Sequence, residues 1–192
     1  MQNMTRKVNI KIVKKQVRLA GFGGQGIVLA GMILGRAAVL FEGLNAVMTQ
    51  SYGPEARGGA CSADVLISKG RINYPRVTVP DILVLMAEEA ARTYGPNTGE
   101  NAFVLINEDL VKTVPVGPGL RIFKIPATSI AEKLGRVIVA NIVMLGFIAG
   151  TTGIVSHESM EQAILASIPE GTEELNISAF QTGYNQGKAQ VH

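Results

Sequence analysis

Apolar residues along this chain gather in short consecutive runs instead of alternating with polar ones. Six runs rich in branched residues predict strands over 17–21 (VRLAG), 45–50 (NAVMTQ), 63–68 (ADVLIS), 81–86 (DILVLM), 102–107 (AFVLIN) and 121–126 (RIFKIP). Consecutive apolar positions mean that both faces of a strand are covered, as in a parallel sheet between helices. Helices are predicted over 25–41, 88–94, 127–134, 139–149 and 156–167, with a C-terminal one from Thr172. Alternating strands and helices predict a three-layer α/β/α sandwich around a mostly parallel, Rossmann-like sheet.

The alternation fails once. Between the second and third strands the chain reads SYGPEARGGACS, with Gly53–Pro54 and Gly58–Gly59 as turn signals and no helix. That strand pair is therefore either antiparallel or joined by an exposed loop. At 192 residues the length suits one domain. Residues 1–16 are expected to form a flexible basic arm before a single domain over 17–192.

Composition narrows the function classes. With 47% hydrophobic and 17% charged residues, a packed globular chain is expected. The formal charge of +3 owes much to Arg6, Lys7, Lys11, Lys14 and Lys15, and there is no Trp. The body thus lacks the basic footprint and stacking residues of a nucleic-acid binder. Cys61 is the single cysteine, which excludes an internal disulfide and a cluster held by four cysteines of this chain. The apolar segment 137–149 is too short to span a bilayer, which takes ~20 residues, so no membrane association is expected and a cytoplasmic location fits.

The candidate chemistry lies in two loops. In AGFGGQG, Gly21, Gly23 and Gly26 give the spacing G-x-G-x-x-G between a strand and a helix. Such glycines permit a tight turn and let a phosphate approach the backbone at a helix start. A dinucleotide site also needs an acidic residue roughly 20 positions on, but Gln50 and Ser51 stand there, Glu42 falls too early and Glu55 lies in the next loop. An ordinary NAD site is not expected. The competing structural reading is close helix packing, marked by Gly31 and Gly35; it leaves Gln25, polar and at the helix start, unexplained. In the second loop, Arg57 suits a carboxylate or phosphate and Glu55 could orient it, while Gly58 and Gly59 allow close approach; a plain surface turn is the alternative. Asn141, amid VIVANIVMLG, must find a hydrogen bond if buried, by capping its helix or bonding across to the glycine turn. His157 and His192 are read as having no ligand partner at metal spacing, and Cys61 as a small buried residue.

Taken together, GFGGQGIVLAG and SYGPEARGGACSADVLIS, with PDILVLMAEEA (80–90) and NIVMLG (141–146), resemble the gamma subunits of the 2-oxoacid:ferredoxin oxidoreductases, most closely those of 2-oxoglutarate enzymes. The resemblance runs from about Val17 to the C-terminal helix. It implies a reaction shared among subunits: thiamine-dependent oxidative decarboxylation of a 2-oxoacid, transfer of the acyl group to coenzyme A and reduction of ferredoxin. Thiamine diphosphate and magnesium would sit on alpha and beta subunits, and iron–sulfur clusters on a ferredoxin-like delta subunit. This chain would bind no cofactor tightly and carry no catalytic residue of its own. It would be inactive in isolation, where a homo-oligomer is open to it. Carried onto this sequence, Gly23, Gly24, Gln25 and Gly26 would face coenzyme A or a partner, and Tyr52, Glu55, Arg57, Gly58 and Gly59 would reach toward the neighbouring active site. A free-standing Rossmann-like nucleotide binder and a ligand-free scaffold subunit are the alternatives.

Overall fold

The computed structural model describes residues 13–52 and 59–191. All six expected strands form: β1 (Lys14–Phe22), β2 (Asn45–Tyr52), β3 (Ala60–Ser68), β4 (Ile82–Leu85), β5 (Phe103–Asn107) and β6 (Arg121–Ile125). They make one sheet in the order β2-β3-β1-β4-β5-β6. β1, β4, β5 and β6 pair in parallel, whereas β3 runs antiparallel to both β1 and β2. The missing helix between β2 and β3 thus marks a hairpin, the one connection an antiparallel pair allows and a parallel pair forbids. β1 starts at Lys14, so the last three residues of the expected arm are strand, and Lys15 Nζ lies 3.3 Å from Asp81 Oδ1.

The first expected helix is split. α1 (Ile27–Arg36) passes into a π-helical turn, Ala37–Phe41, before β2. The others are α2 (Glu88–Tyr94), α3 (Ala127–Lys133), α4 (Ala140–Thr152), α5 (His157–Leu165) and α6 (Glu173–Gln190). α1, α3, α4, α5 and α6 build the larger core with one face of the sheet, through residues such as Leu19, Ile33, Val65, Val84, Leu105 and Phe147. α2 and irregular segments cover the other face, over Ala20, Leu83, Leu85, Val104 and Ile106. Each central strand thus buries both faces, which is why its apolar positions run consecutively.

α4 is the centre of the thicker layer, with all thirteen residues buried. Glycine spacing makes this possible: a Cβ on Gly146 or Gly150 would strike the backbone of α6 at Phe180 and Tyr184, and one on Gly183 or Gly187 would strike α4. The two backbones therefore touch directly, four residues apart on each helix. Gly31 lets α1 approach the sheet in the same way, since a Cβ there would lie 2.7 Å from Ala63 Cβ; Gly35 has open space beside it and no packing role.

Candidate functional site

The carboxyl ends of β1, β2, β4, β5 and β6 share one edge of the sheet with the start of β3. Register brings the two candidate loops together there, because Phe22 pairs with Ala60 and Cys61 pairs with both Gly21 and Tyr52. The glycine turn and the described ends of the β2–β3 hairpin are therefore neighbours. Gly59 is partly buried at the base of the hairpin and Tyr52 is 63% exposed. Glu55, Arg57 and Gly58 lie outside the described residues.

The turn after β1 is built by its own side chains. Gln25 N–H donates to Phe22 O at 3.2 Å, and Gly24 at φ +94° takes the left-handed third position that such a turn requires. The side chain of Gln25 folds back: its Oε1 accepts from Phe22 N–H at 2.7 Å and its Nε2 donates to Met86 O at 3.1 Å. Gln25 thus joins the ends of β1 and β4 rather than projecting into solvent. It also accounts for Gly21, where a Cβ would lie 2.5 Å from Gln25 Oε1. Gly26, at φ +70°, caps α1 and accepts through its carbonyl from Asn141 Nδ2 at 3.2 Å. Of the two roles open to Asn141 from sequence, it takes the bond across to the turn.

What the turn presents outward is backbone. A Cβ on Gly23 or Gly24 would meet nothing within 4 Å. The first turn of α1 holds no acidic residue, and among the described residues no side chain caps its N–H groups and positive dipole end. Beside it opens a cleft of about 280 Å³ lined by Gly24, Gln25, Met86, Leu110, Thr128, Val137, Ile138 and Ala140. It lies at the crevice beyond the strand ends, where α/β folds bind ligands.

Three residues that sequence reasoning did not single out fix the far wall of this cleft. Asn107, fully buried at the end of β5, accepts from Ala127 N–H at 3.1 Å and donates to Thr128 Oγ1 at 2.9 Å. Asp109 accepts from Ser129 N–H and Oγ–H, both at 2.8 Å. Glu88 accepts from Lys112 N–H at 2.7 Å, Thr113 N–H at 3.0 Å and Thr113 Oγ1–H at 2.6 Å. The Thr113 hydroxyl and these amides hold the Glu88 carboxyl down at about 2. Leu110 sits between these grips. The available signal was polar residues directly after the apolar runs ending β4 and β5.

Elsewhere, Arg18 of β1 and Asp64 of β3 form a bidentate pair, Nε to Oδ1 at 2.7 Å and Nη2 to Oδ2 at 2.6 Å, on the α2 side of the sheet. The Asp64 bonds raise the Arg18 pKa. Cys61 is buried, and desolvation pushes its thiol up. His157 does have a carboxylate one turn away: Glu161 Oε2 lies 3.6 Å from its Nδ1, and Gln181 Oε1 lies 2.8 Å from its Nε2. Among the described residues no three His, Cys, Asp or Glu side chains gather as a metal site, and no helix is long and apolar enough to cross a membrane.

The dinucleotide reading meets a topological obstacle. The strand after the first crossover, β2, is separated from β1 by β3. The position beside β1 is occupied by the antiparallel β3.

Comparison with known proteins agrees with this architecture. The family model described as pyruvate ferredoxin/flavodoxin oxidoreductase matches residues 16–186. A 2-oxoglutarate synthase subunit KorC of Methanocaldococcus jannaschii is 53% identical over 178 residues, covering 92% of this chain and 95% of that protein. The crystal structure of a keto/oxoacid ferredoxin oxidoreductase gamma subunit from Geobacter sulfurreducens superposes with a TM-score of 0.82 at 40% identity, covering 91% of this chain and 99% of that one. At the level of fold alone, the 2-oxoglutarate:ferredoxin oxidoreductase of Magnetococcus marinus, described with 2-oxoglutarate, coenzyme A and succinyl-CoA bound, gives a TM-score of 0.78 at 20% identity. That match covers 93% of this chain but 32% of the longer one. The chain belongs to the pyruvate ferredoxin/flavodoxin oxidoreductase family.

Proposed function

We propose that this chain is the gamma subunit of a cytoplasmic 2-oxoglutarate:ferredoxin oxidoreductase, in which it caps the active site and helps hold coenzyme A. The observation that carries the assignment is the 53% identity to a 2-oxoglutarate synthase subunit over almost the whole of both chains. The site supports the division of labour. The open amides of Gly23, Gly24 and Gly26 at the start of α1 suit a phosphate, and the narrow apolar cleft between Met86, Leu110 and Ile138 suits a slender arm better than a whole nucleotide. Tyr52, Glu55, Arg57, Gly58 and Gly59 belong to the β2–β3 connection, whose described end Tyr52 lies one strand away from Gly21, and Arg57 is the cation assigned to a phosphate or carboxylate.

The redox groups belong to other subunits. Cluster ligation needs thiolates, and this chain offers one cysteine, buried and held protonated by desolvation. Thiamine diphosphate with magnesium is assigned to alpha and beta partners, clusters to a ferredoxin-like delta partner, and ferredoxin is the acceptor. An anaerobic pull-down of the tagged chain tests this. Thiamine-binding and ferredoxin-like chains should co-elute, and the eluate should reduce ferredoxin with 2-oxoglutarate and coenzyme A. Arg57→Ala should lose activity with the complex still assembled; full activity in that variant would leave only a scaffold role.

A further inference from the structure

We propose that the outer edge of β2, with the apolar surface of α1, the π-helical turn and α5 beside it, is where a permanent partner subunit docks. The inference rests on the subunit reading above and adds which surface is used and by what chemistry.

The two edges of the sheet are treated differently. β6 is a guarded edge: it carries Arg121 and Lys124, and the Gln190 amide of α6 bonds both Lys124 O, at 2.8 Å, and Lys124 N–H, at 3.4 Å, filling the place of a neighbouring strand. β2 has no such guard. Its eight residues, NAVMTQSY, contain no charge and no proline, and its register with β3 is unbroken from Asn45 to Tyr52. Among the described residues no strand pairs with its outer side. Natural proteins blunt solvent-exposed edges with charges, prolines or bulges; a long, regular, uncharged edge is the form of one that is covered.

The surface beside that edge has the same character. Met32, Val39, Leu40, Phe41 and Leu165 are exposed, Leu40 by 64%. The charged residues that flank the π-helical turn in the chain bond the two ends of α5. Arg36 donates to Ser167 Oγ at 2.8 Å and to Ala166 O at 3.4 Å, and Glu42 accepts from Ser156 N–H at 2.7 Å. The π-helical turn leads into β2 within three residues, and Met48 of β2 packs beneath Gly31 of α1. Edge and apolar surface therefore form one lateral face, away from the cleft at the strand ends.

The occupant follows from chain length. In the Magnetococcus marinus enzyme this fold is about a third of a longer chain. The Methanocaldococcus jannaschii and Geobacter sulfurreducens relatives, matched over 95% and 99% of their own lengths, are separate subunits, and on the subunit reading the remainder of such a chain is held in trans. An obligate interface is apolar where a transient one is more polar, so the face fits a permanent subunit rather than the electron acceptor. The partner should present an apolar surface and an extended segment that adds to β2 by main-chain hydrogen bonds.

Hydrogen exchange on the purified complex and on the free chain tests this. Peptides covering 37–41 and 45–52 should be protected in the complex beyond their level in the free chain. Leu40→Glu should weaken recovery of the complex by ~10-fold or more, as loss of a buried apolar anchor does, while Val116→Glu, at a 98% exposed position elsewhere, leaves it unchanged and thermal melts show both variants folded. Equal exchange in both states, or full assembly with Leu40→Glu, would overturn the inference. Protection that rises with concentration in the free chain alone would assign the face to a second copy and overturn the choice of partner. A chain that recovers no partner at all would instead defeat the subunit reading.

Discussion

Replacing Gln25 separates a residue that builds the turn from one that touches a ligand. Its amide makes two bonds, from Phe22 N–H and to Met86 O, which tie the end of β1 to the end of β4. Each is worth ~0.5–1.5 kcal/mol net, and the stranded Phe22 N–H adds a desolvation penalty of similar size, so Gln25→Ala should cost the isolated chain ~2 kcal/mol. For a chain of this length that is a melting shift of ~4–8 °C. Gln25→Glu retains the acceptor for Phe22 but sets a carboxylate oxygen against Met86 O, so it should be at least as damaging at neutral pH and recover as the carboxyl protonates. The assay is urea or thermal unfolding of the isolated chain, alongside the KM for coenzyme A in the assembled enzyme. A turn-building residue lowers stability and raises KM together. An unchanged unfolding midpoint with a raised KM would refute the reasoning and return Gln25 to the role of a ligand contact.

Asp64→Ala should destabilise by ~3 kcal/mol, because it leaves the mostly buried Arg18 guanidinium without its bidentate partner; urea unfolding reads this, and a loss below about 1 kcal/mol would mean that Val77 O and the Tyr94 ring suffice. Glu88, with its folded-state carboxyl at about 2 against 4.5 ordinarily, stabilises the fold above the unfolded value, and this contribution is lost as pH falls from about 4.5 through about 2. Glu88→Gln should therefore flatten the stability–pH curve in that window, and an unchanged slope would count against the grip on Lys112 and Thr113. Gly183→Ala should force α6 off Val143 of α4, and because both contacting groups are backbone, the soluble yield and cooperative melt of the chain should fall sharply.

The strands were legible because each central one buries both faces, so its signal is local composition. Their order was not. β3 begins three residues before its apolar run, at Ala60-Cys61-Ser62, small residues that read as loop and become strand only by pairing with Ala20–Phe22 and Ser51–Tyr52. The π-helical turn within the first helix had no sequence signal. Asn107, Asp109 and Glu88 escaped notice because each acts on backbone groups some twenty or more residues away. The glycines of α4 and α6 were readable in principle from their four-residue spacing, as Gly31 and Gly35 were read, and the latter pair shows the limit of that signal, since Gly35 packs on nothing.

One strand decides what the glycine turn is for. In a dinucleotide fold the strand beside β1 is parallel, arrives through a crossover helix, and ends where the ribose is held. Here β3 takes that position running the other way. Reversal puts the beginning of the strand, not its end, at the ligand edge, so the chain arrives there through a hairpin of seven residues between Tyr52 and Ala60. The consequence is that Tyr52 and Ala60, the described ends of that connection, lie at the same sheet edge as the glycine turn, and that the strand end that would have held an adenine ribose is absent from beside β1. On the proposed reading the backbone of Gly23, Gly24 and Gly26 still suits a phosphate, while the strand end that would have carried an NAD-selecting acid is replaced by the start of β3. A reversal of one strand thus takes the ribose site of a dinucleotide fold away from the glycine turn, which fits the coenzyme A reading proposed above better than NAD.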